Sequence, residues 1–159
     1  QKIRFECRFG VRVGIADERL RREVKDNVRI VPVHGGFDRS KVADDLLDTV
    51  IDSRGRGLAA PQIGVPIRMI AMKHGSHFRI LVNPVIVRRG RDITEGHEGC
   101  LSIPGRTVSV PRHKIVTVEW VSIHGMKCSE KLRGMDARCA QHEIDHLDGV
   151  LIPVPGVTV

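Results

Sequence analysis

Two histidines four residues apart, His142 and His146, lie near the C-terminal end of the sequence, and Glu143 follows the first of them. On a helix, positions i and i+4 lie on one face about one turn apart, so the two imidazoles can bind a single metal ion. Glu143 would lie about 100° round the helix, better placed to move a proton beside the metal than to bind it. The pattern predicts a hydrolytic metal site, and a surface helix carrying two histidines is the alternative interpretation.

A metal held by two histidines needs a third protein ligand, because a catalytic zinc-type site has three protein ligands and a water. Cys100 is the best candidate, since Gly99 precedes it and a turn at Ile103 and Pro104 follows. The other three cysteines are expected to be small buried side chains: Cys7, Cys128 and Cys139. The scattered cysteines and the lack of a secretory signal favour a reducing compartment with one functional thiolate.

Two helices are predicted to support this chemistry. The metal-site helix follows Gly134 and Asp136, runs to about Asp148 and has Gly149 just past its end. An earlier helix starts at Asp38 or Ser40, ends at Gly55, and should lay an apolar stripe against a sheet; the stripe comprises Val42, Ala43, Leu46, Leu47, Val50 and Ile51. Before it, residues 1–16 are predicted to be extended and residues 17–24 to form a short helix capped by Asp17.

Strand-like runs occupy residues 67–72, 78–87, 115–123 and 126–132, and the last two are predicted to form a hairpin. Pro84 interrupts the second run and indicates an edge strand or a bulge. Residues 55–64 are rich in glycine, which is typical either of a close-packed turn or of backbone groups presented to a ligand.

Composition limits the class of protein. The chain has 159 residues, of which 41% are hydrophobic. We therefore expect a single domain over residues 1–159. A net charge of +7 favours an acidic partner such as RNA or a ribosome surface, and the alternative is that the charge only aids solubility. Few aromatic residues and no basic cluster argue against sequence-specific nucleic-acid binding. No apolar run reaches the length of a membrane span, so we expect no membrane partner.

Three segments in this order and spacing resemble the signature motifs of the peptide deformylases: residues 55–62 (GRGLAAPQ), 98–102 (EGCLS) and 142–147 (HEIDHL). Residues 17–21 also resemble the N-terminal segment of that family. The resemblance implies an α+β fold with antiparallel strands around a central metal-binding helix. It implies metal-dependent removal of the formyl group from the N-terminal formylmethionine of newly made polypeptides.

The same resemblance implies roles for individual residues. It makes Cys100, His142 and His146 the ligands of one divalent metal, with Fe²⁺ the native ion and Zn²⁺, Ni²⁺ or Co²⁺ able to replace it. Glu143 would act as general base and then general acid for a metal-bound water that attacks the formyl carbon. The Gln62 amide and the Leu101 backbone N–H would join the metal in stabilising the oxyanion.

Further residues are expected around the substrate: Gly57, which would offer backbone contacts, and Arg56, Gly96, Gly99, Met135, Arg138 and Cys139. Arg56 and Arg138 stand where family members often carry apolar residues, and Gly96 is smaller than usual, so this side-chain pocket departs from the family pattern. The family also pairs the positions of Glu98 and Arg112, and we expect that ion pair here. Asp145 could likewise orient a ligand, but a solvated helix carboxylate is the favoured interpretation.

The prolines after Leu151 exclude the C-terminal helix of typical bacterial members, and such a shortened form resembles phage-encoded deformylases, although a trimmed chain would look the same. We expect a cytoplasmic protein, of a bacterium or of a phage host, or an organelle-matrix protein if a targeting segment preceded Gln1. Two other functions fit the metal motif: a zincin-like peptidase, which normally takes its third ligand from a downstream His or Glu, and a non-catalytic metal-binding protein.

Overall fold

The computed structural model describes residues 38–153, together with the backbone of two short strands near the N-terminus. These strands, β1 (Phe5–Glu6) and β2 (Arg12–Val13), pair antiparallel, in keeping with the extended conformation expected for that segment. The predicted helix at residues 17–24 and Cys7 lie outside the described residues. In the described part of the chain, no helix has the length and apolar character that crossing a membrane requires.

A five-stranded antiparallel sheet forms the centre of the fold. In spatial order its strands are β3 (Gly57–Ala59), β4 (Met69–His74), β5 (His77–Arg89), β8 (Ile115–Val121) and β9 (Lys127–Arg133). A separate two-stranded antiparallel sheet pairs β6 (Ile93–Cys100) with β7 (Ile103–His113). Two α-helices, α1 (Arg39–Asp52) and α2 (Gly134–Leu147), and one short 3-10 helix (Ala60–Ile63) complete the described elements, so the fold is α+β as predicted.

The helices pack in two separate clusters that share the sheet. Along β4, Met69 and Ala71 pack in the cluster with α1, whereas Ile70 and Met72 pack in the cluster with α2. Because alternate residues of a strand point to opposite faces, the two helices cover opposite faces of the sheet. This explains why all four residues of β4 from Met69 to Met72 are buried.

The first helix forms as the sequence predicts, with Asp38 as its N-cap. One Asp38 carboxylate oxygen accepts from the backbone N–H groups of Ser40 and Lys41, at 3.0 and 3.3 Å. The helix ends at Asp52, three residues before Gly55. The predicted stripe was wrong at Ile51, which is 55% exposed, but its buried members face the sheet: Val42, Ala43, Leu46 and Val50.

Pro84 lies within a continuous central strand rather than at a sheet edge. The pairing of β5 with β8 shifts register between Val82 and Val85, and Asn83 has a positive φ of 51°. Proline has no N–H for a ladder hydrogen bond, so the bulge removes it from the regular pairing while its ring stays buried. Of the two predicted alternatives, the bulge is confirmed.

The long β6–β7 hairpin is an element that the sequence did not indicate. Gly96, Gly99, Pro104 and Pro111 interrupt any alternation of polar and apolar residues along these two strands. The segment expected to be a turn at Ile103 and Pro104 instead begins an eleven-residue strand. This hairpin matters because it carries Glu98, Cys100 and Arg112 towards α2.

The second helix lies across the sheet with its apolar side inward. Buried residues of α2 pack with side chains of β4, β5, β8 and β9; those of the helix are Ala137, Cys139, Ala140, Ile144 and Leu147. The helix begins at Gly134, so Gly134 and Asp136 lie within it rather than before it. Its end agrees with the prediction: Asp148 is the C-cap and Gly149 has a positive φ of 74°.

Candidate active site

Three potential metal ligands meet between α2 and the end of β6. The donor atoms of Cys100, His142 and His146 all lie within 4.8 Å of one another. His146 Nε2 is 3.2 Å from Cys100 Sγ and 3.2 Å from His142 Nε2. Two nitrogens bound to one tetrahedral zinc lie about 3.3 Å apart, given bonds of about 2.0–2.1 Å, so the spacing fits a metal ion. Among the described residues this is the one such group.

Each ligand owes its position to a local feature of the chain. The two histidines are separated by one helical turn on α2, as their spacing predicted. Cys100 is the last residue of β6, where the register shifts between Gly99 and Cys100 before the chain turns into β7. Cys100 and His146 are buried, and the His142 side chain is 11% exposed, so a metal here would be largely shielded from solvent.

The predicted ion pair between Glu98 and Arg112 is confirmed. Arg112 donates from Nε to Glu98 Oε1 and from Nη2 to Oε2, both at 3.0 Å, in a two-bond arrangement. Glu98 Oε2 also lies 2.9 Å from His142 Nδ1. Because a carboxylate can only accept, Nδ1 carries the proton and Nε2 is left for a metal.

Asp145 is a correction to the sequence-based expectation. Its side chain is 34% exposed, and one oxygen accepts a hydrogen bond from Arg112 Nη1. It is therefore an ion-pair partner of the arginine that holds Glu98, and not a solvated carboxylate. Arg112 is thus shared between two acids on different elements, Glu98 of β6 and Asp145 of α2.

The ionisable groups around the ligands have displaced pKa values. Burial would raise the pKa of Glu98, but hydrogen bonds from His142, Arg112 and Arg138 outweigh it and lower the pKa to about 2. Burial would lower the pKa of His142, but its contacts with Cys100 and Glu98 outweigh that and raise it to about 10. Burial, aided by repulsion from His142, lowers the pKa of His146 to about 3.

Glu143 is buried on α2 beside the ligands. Burial raises the pKa of its carboxyl to about 7, an effect that the neighbouring His142 charge only partly offsets. Its Oε2 is buried and has no hydrogen-bond partner among the described residues. A buried carboxylate oxygen without a partner is an acceptor available to a water or a substrate proton.

Gly57 makes room for that carboxylate. A Cβ at this position would lie 2.4 Å from Glu143 Oε1 and 2.7 Å from its Cδ. The close approach of Glu143 therefore requires glycine in β3. The sequence suggested that substrate contact would explain this glycine, and the structure provides a second reason that concerns the chain itself.

Gln62 is oriented by its neighbours. Its Oε1 accepts from the Ala59 N–H at 2.8 Å, so its Nε2 points to Ser102 Oγ at 3.0 Å and towards Cys100 Sγ at 4.0 Å. The half-buried Leu101 follows Cys100 in the turn between β6 and β7. Gln62, Leu101 and the cysteine are thus brought together. Ser102 had no role in the sequence-based prediction, although it lies within the motif at residues 98–102.

The residues expected around the substrate side chain fall into two groups. Arg56, Gly99 and Met135 are exposed, and the Arg56 guanidinium lies 3.5 Å from Asp136. Cys139 is buried, its Sγ donates to the Arg56 carbonyl at 3.3 Å, and burial raises the pKa of its thiol. Cys139 is therefore a buried thiol, as expected, whereas Cys128 is only partly buried.

Arg138 and Gly96 are a second correction. Arg138 was expected at a substrate pocket, but its side chain is only 8% exposed and its guanidinium donates to Glu98 Oε1 at 2.7 Å. A Cβ at Gly96 would lie 2.8 Å from the Arg138 guanidinium carbon. The space beside Gly96 is therefore filled by Arg138. Sequence alone offered no signal for this contact, because the two residues are 42 positions apart.

Comparison with known proteins decides the family. The model of the polypeptide deformylase family matches residues 13–154. The chain belongs to this family. A peptide deformylase of Desulfitobacterium hafniense is 41% identical over 140 residues, which cover 87% of this chain and 89% of that protein.

Solved deformylase structures agree with the fold. Peptide deformylase from Thermotoga maritima matches 89% of this chain and 94% of its own, with a TM-score of 0.78 and 34% identity. The deformylase of a Vibrio parahaemolyticus bacteriophage, in complex with actinonin, matches 77% of this chain and 90% of its own, with a TM-score of 0.72 and 35% identity. As a peptide deformylase, the chain is a hydrolase of N-terminal protein processing that removes the formyl group from newly made polypeptides. The family is metal-dependent, in keeping with the Cys/His/His cluster.

Proposed function

We propose that this chain hydrolyses the formyl group of N-terminal formylmethionine, with one divalent metal held by Cys100, His142 and His146. The observation that carries the proposal is the convergence of these three donors within 4.8 Å, next in sequence to a buried glutamate whose Oε2 has no partner among the described residues. When bound, the metal supplies a Lewis acid and lowers the pKa of a bound water enough to provide a nucleophile near neutral pH.

The chain's own residues perform the proton transfers. Glu143 accepts a proton from the water as the water oxygen bonds to the formyl carbon. It then donates that proton to the nitrogen of the departing amine as the carbon–nitrogen bond breaks, which releases formate and the free N-terminus. Burial raises the pKa of this carboxyl in the metal-free chain, and this tendency to take up a proton supports the transfer from the water to the amine.

Gln62 and Leu101 stabilise the developing oxyanion in this proposal. The Ala59 N–H occupies Gln62 Oε1, so the amide presents its N–H₂ side towards the cysteine and Ser102. A donor that is fixed before the reaction needs no reorganisation when charge develops. The Leu101 backbone N–H, directly after the metal-ligand position, is the second donor.

The substrate side chain would lie near Gly57, Gly99, Met135, Cys139 and Arg56. Arg138 and Gly96 affect this region through the contact between them. We propose residues 1–159 as one catalytic domain, which the family match over residues 13–154 supports. Formylmethionyl peptides are the partners that follow from this activity.

For the metal, we propose Fe²⁺ as the native ion, with Zn²⁺, Ni²⁺ or Co²⁺ as replacements. One thiolate and two imidazoles suit all four ions, and availability decides between them. A thiolate ligand beside iron is prone to oxidation, so we expect the iron form to lose activity in air faster than the nickel or zinc form. Equal lifetimes of the three forms would overturn this expectation.

The decisive experiment measures amine release from formyl-Met-Ala-Ser by protein reconstituted anaerobically with Fe²⁺ or Ni²⁺. We expect metal-dependent turnover that Glu143→Ala loses by about 100-fold or more, while it still binds the metal. The unformylated peptide is the substrate control. Turnover above a few per cent in the variant would remove Glu143 from its role, and no turnover by the metal-loaded protein would overturn the proposed activity.

Neither alternative function gains support from the site. A zincin-like peptidase would place a downstream His or Glu with the two histidines, but the third donor here is Cys100, from a strand earlier in the chain. A purely structural metal site has four protein ligands as a rule. Among the described residues the cluster offers three.

We also propose that the chain acts in the cytoplasm, or in an organelle matrix, where formylated polypeptides are made. The net charge of +7 supports contact with the acidic ribosome surface. Co-sedimentation with ribosomes that weakens with added salt would support this contact. If the chain is absent from the ribosome pellet at every salt concentration, the proposed contact is contradicted.

A further inference from the structure

Arg138 is buried and hydrogen-bonds to both strands of the β6–β7 hairpin. It lies on α2 one turn before His142, and its side chain is 8% exposed. Besides Glu98, its guanidinium donates to backbone carbonyls of both strands of the hairpin: Thr94 at 2.7 Å, Val110 at 2.8 Å and Gly96 at 3.4 Å. A buried arginine is rare unless it is paired, and this one is paired with the acid that contacts a metal ligand.

Glu98 uses both of its oxygens fully. A carboxylate offers about four acceptor positions, two on each oxygen. Oε1 accepts from Arg112 Nε and Arg138 Nη1, and Oε2 accepts from Arg112 Nη2 and His142 Nδ1. Arg112 alone would leave one position on Oε1 open. Arg138 fills that position, so three residues donate hydrogen bonds to the carboxylate.

The consequence falls on His142. The orientation of its ring, and the choice of the nitrogen that is left for the metal, depend on where Glu98 Oε2 lies. A carboxylate that accepts from Arg112 of β7 and from Arg138 and His142 of α2 has less freedom to rotate away from Nδ1. Arg138 can therefore influence metal binding without touching the metal or any ligand.

Gly96 is the counterpart of this arginine. A Cβ there would approach Arg138 Cζ and Nη2 to 2.8 Å, closer than real Cβ contacts come. Gly96 has no positive φ, so its backbone does not itself require glycine. The absence of a side chain at residue 96 is thus matched to the presence of a guanidinium at residue 138.

We propose that Arg138 is a positioning residue of the metal site: with Gly96 as its required neighbour, it holds Glu98 on His142 and so tightens metal binding. The inference rests on the proposed metal-dependent function. It also reassigns Arg138 from the substrate pocket to the support of a metal ligand.

The experiment measures the Zn²⁺ dissociation constant by competition with a chromophoric chelator. Urea unfolding in EDTA measures the free energy of unfolding of the metal-free protein. Arg138→Leu combined with Gly96→Val replaces the buried guanidinium by apolar side chains that fill the same space. We expect zinc binding to weaken by about tenfold, the lower end of what changing the partner of a ligand costs. Arg138→Lys, which keeps a single donor, should recover part of the affinity.

Gln141→Met is the matched control. Gln141 is also buried on α2 and ties the helix to β7 through the backbone of His113, at 3.1 and 2.9 Å, but it does not contact Glu98. We expect this variant to unfold more easily yet to bind zinc within about twofold of the unaltered chain, since the Glu98 contacts remain. If the double variant also binds zinc within about twofold, Arg138 is only structural and the inference fails.

A second comparison tests the coupling between the two residues. Gly96→Ala should weaken zinc binding in the unaltered chain, because the methyl group displaces the guanidinium. In the Arg138→Leu background the same change should have no such effect. Equal effects in both backgrounds would contradict the pairing. Failure of the unaltered chain to bind zinc at all would instead overturn the proposed metal site.

Discussion

At the scale of single residues, the site depends on close contacts that leave little room for change. Gly57 borders the Glu143 carboxylate, and Gly96 borders the Arg138 guanidinium, each at a distance that excludes a side chain. Both glycines occupy strands, where glycine normally weakens the structure. Their value here lies in letting a charged group of α2 approach the neighbouring strands.

The first prediction concerns Gly57→Ala. A methyl group there would displace the Glu143 carboxylate, whose Oε1 would lie 2.4 Å from the new Cβ. We expect deformylase turnover to fall by about 100-fold, as a displacement of about 1 Å in a reacting group can cause. Metal content should not change, since Gly57 does not contact the ligands.

Gly75→Ala is the control for this variant. Gly75 has a φ of 58° and no atom near the position of a Cβ, so alanine there costs backbone strain but adds no clash. Turnover should stay close to that of the unaltered chain. If the two variants lose turnover equally, the effect of Gly57→Ala is one of stability and not of Glu143 placement.

The second prediction concerns pH and the stability of the metal-free protein. Burial raises the pKa of Glu143 to about 7, above its ordinary value of 4.5. Between these two values the folded chain keeps a proton that the unfolded chain has lost, so this group's contribution to the free energy of unfolding falls as pH rises. Glu143→Gln removes that dependence.

We therefore compare the free energies of unfolding of Glu143→Gln and of the unaltered chain. Their difference should shift in favour of the variant by about 2 to 3 kcal/mol as the pH rises from about 5 to about 8. Urea unfolding in EDTA at both pH values measures the difference. Parallel changes in the two proteins would show that Glu143 titrates normally in the folded state.

At the scale of elements, the site is an assembly of one helix with one hairpin. Helix α2 supplies His142, Glu143 and His146, while β6 supplies Glu98 and Cys100. Buried apolar residues of α2 pack against one face of the five-stranded sheet and fix the position of the helix. Helix α1 covers the opposite face of that sheet and supplies no metal ligand, although Leu101 packs against the same cluster.

The third prediction tests this separation with Leu46→Ala in α1. Leu46 is fully buried, so the cavity should lower the free energy of unfolding by about 2 to 5 kcal/mol. The zinc affinity of the folded protein should not change, because Leu46 packs in the cluster on the other face of the sheet. Urea unfolding and chelator competition measure the two effects separately.

Ile51→Ala, on the same helix, is the control, because Ile51 is 55% exposed. It should change the free energy of unfolding by no more than about 0.5 kcal/mol. A weaker zinc affinity in Leu46→Ala would show that the two faces of the sheet are coupled.

At the scale of the whole molecule, metal binding should join parts of the chain that are distant in sequence. Cys100 and His146 are 46 residues apart, one on strand β6 and the other on helix α2, yet their donor atoms lie 3.2 Å apart. Such a preformed arrangement does not exist in the unfolded chain, so a metal that binds it stabilises the folded state.

The fourth prediction follows from this linkage. Zinc at about 100 times its dissociation constant should add about 2.7 kcal/mol to the free energy of unfolding and raise Tm, and EDTA should reverse the change. Cys100→Ser, which weakens the site, should lose most of the zinc-dependent gain. Equal Tm values with zinc and with EDTA in the unaltered chain would contradict metal binding in the folded state.

The sequence by itself determined the features that depend on short-range geometry. The His142 and His146 pair, the apolar stripe of α1 and the bulge at Pro84 follow from helical spacing and from the missing N–H of proline. The residues that contact this histidine pair did not follow from local spacing. The resemblance to the family anticipated Cys100 and the Glu98–Arg112 pair, but no local pattern required either.

Only the tertiary structure decided what surrounds the site. The β6–β7 hairpin has no alternating pattern, so its existence and register could not be predicted. That register brings Arg138 of α2 to Glu98, and places Gly96 against the same guanidinium. It also brings Arg112 to Asp145, which a helix pattern alone leaves in solvent. Ion pairs between distant segments depend on how the elements pack, and this packing is not encoded in any single stretch of sequence.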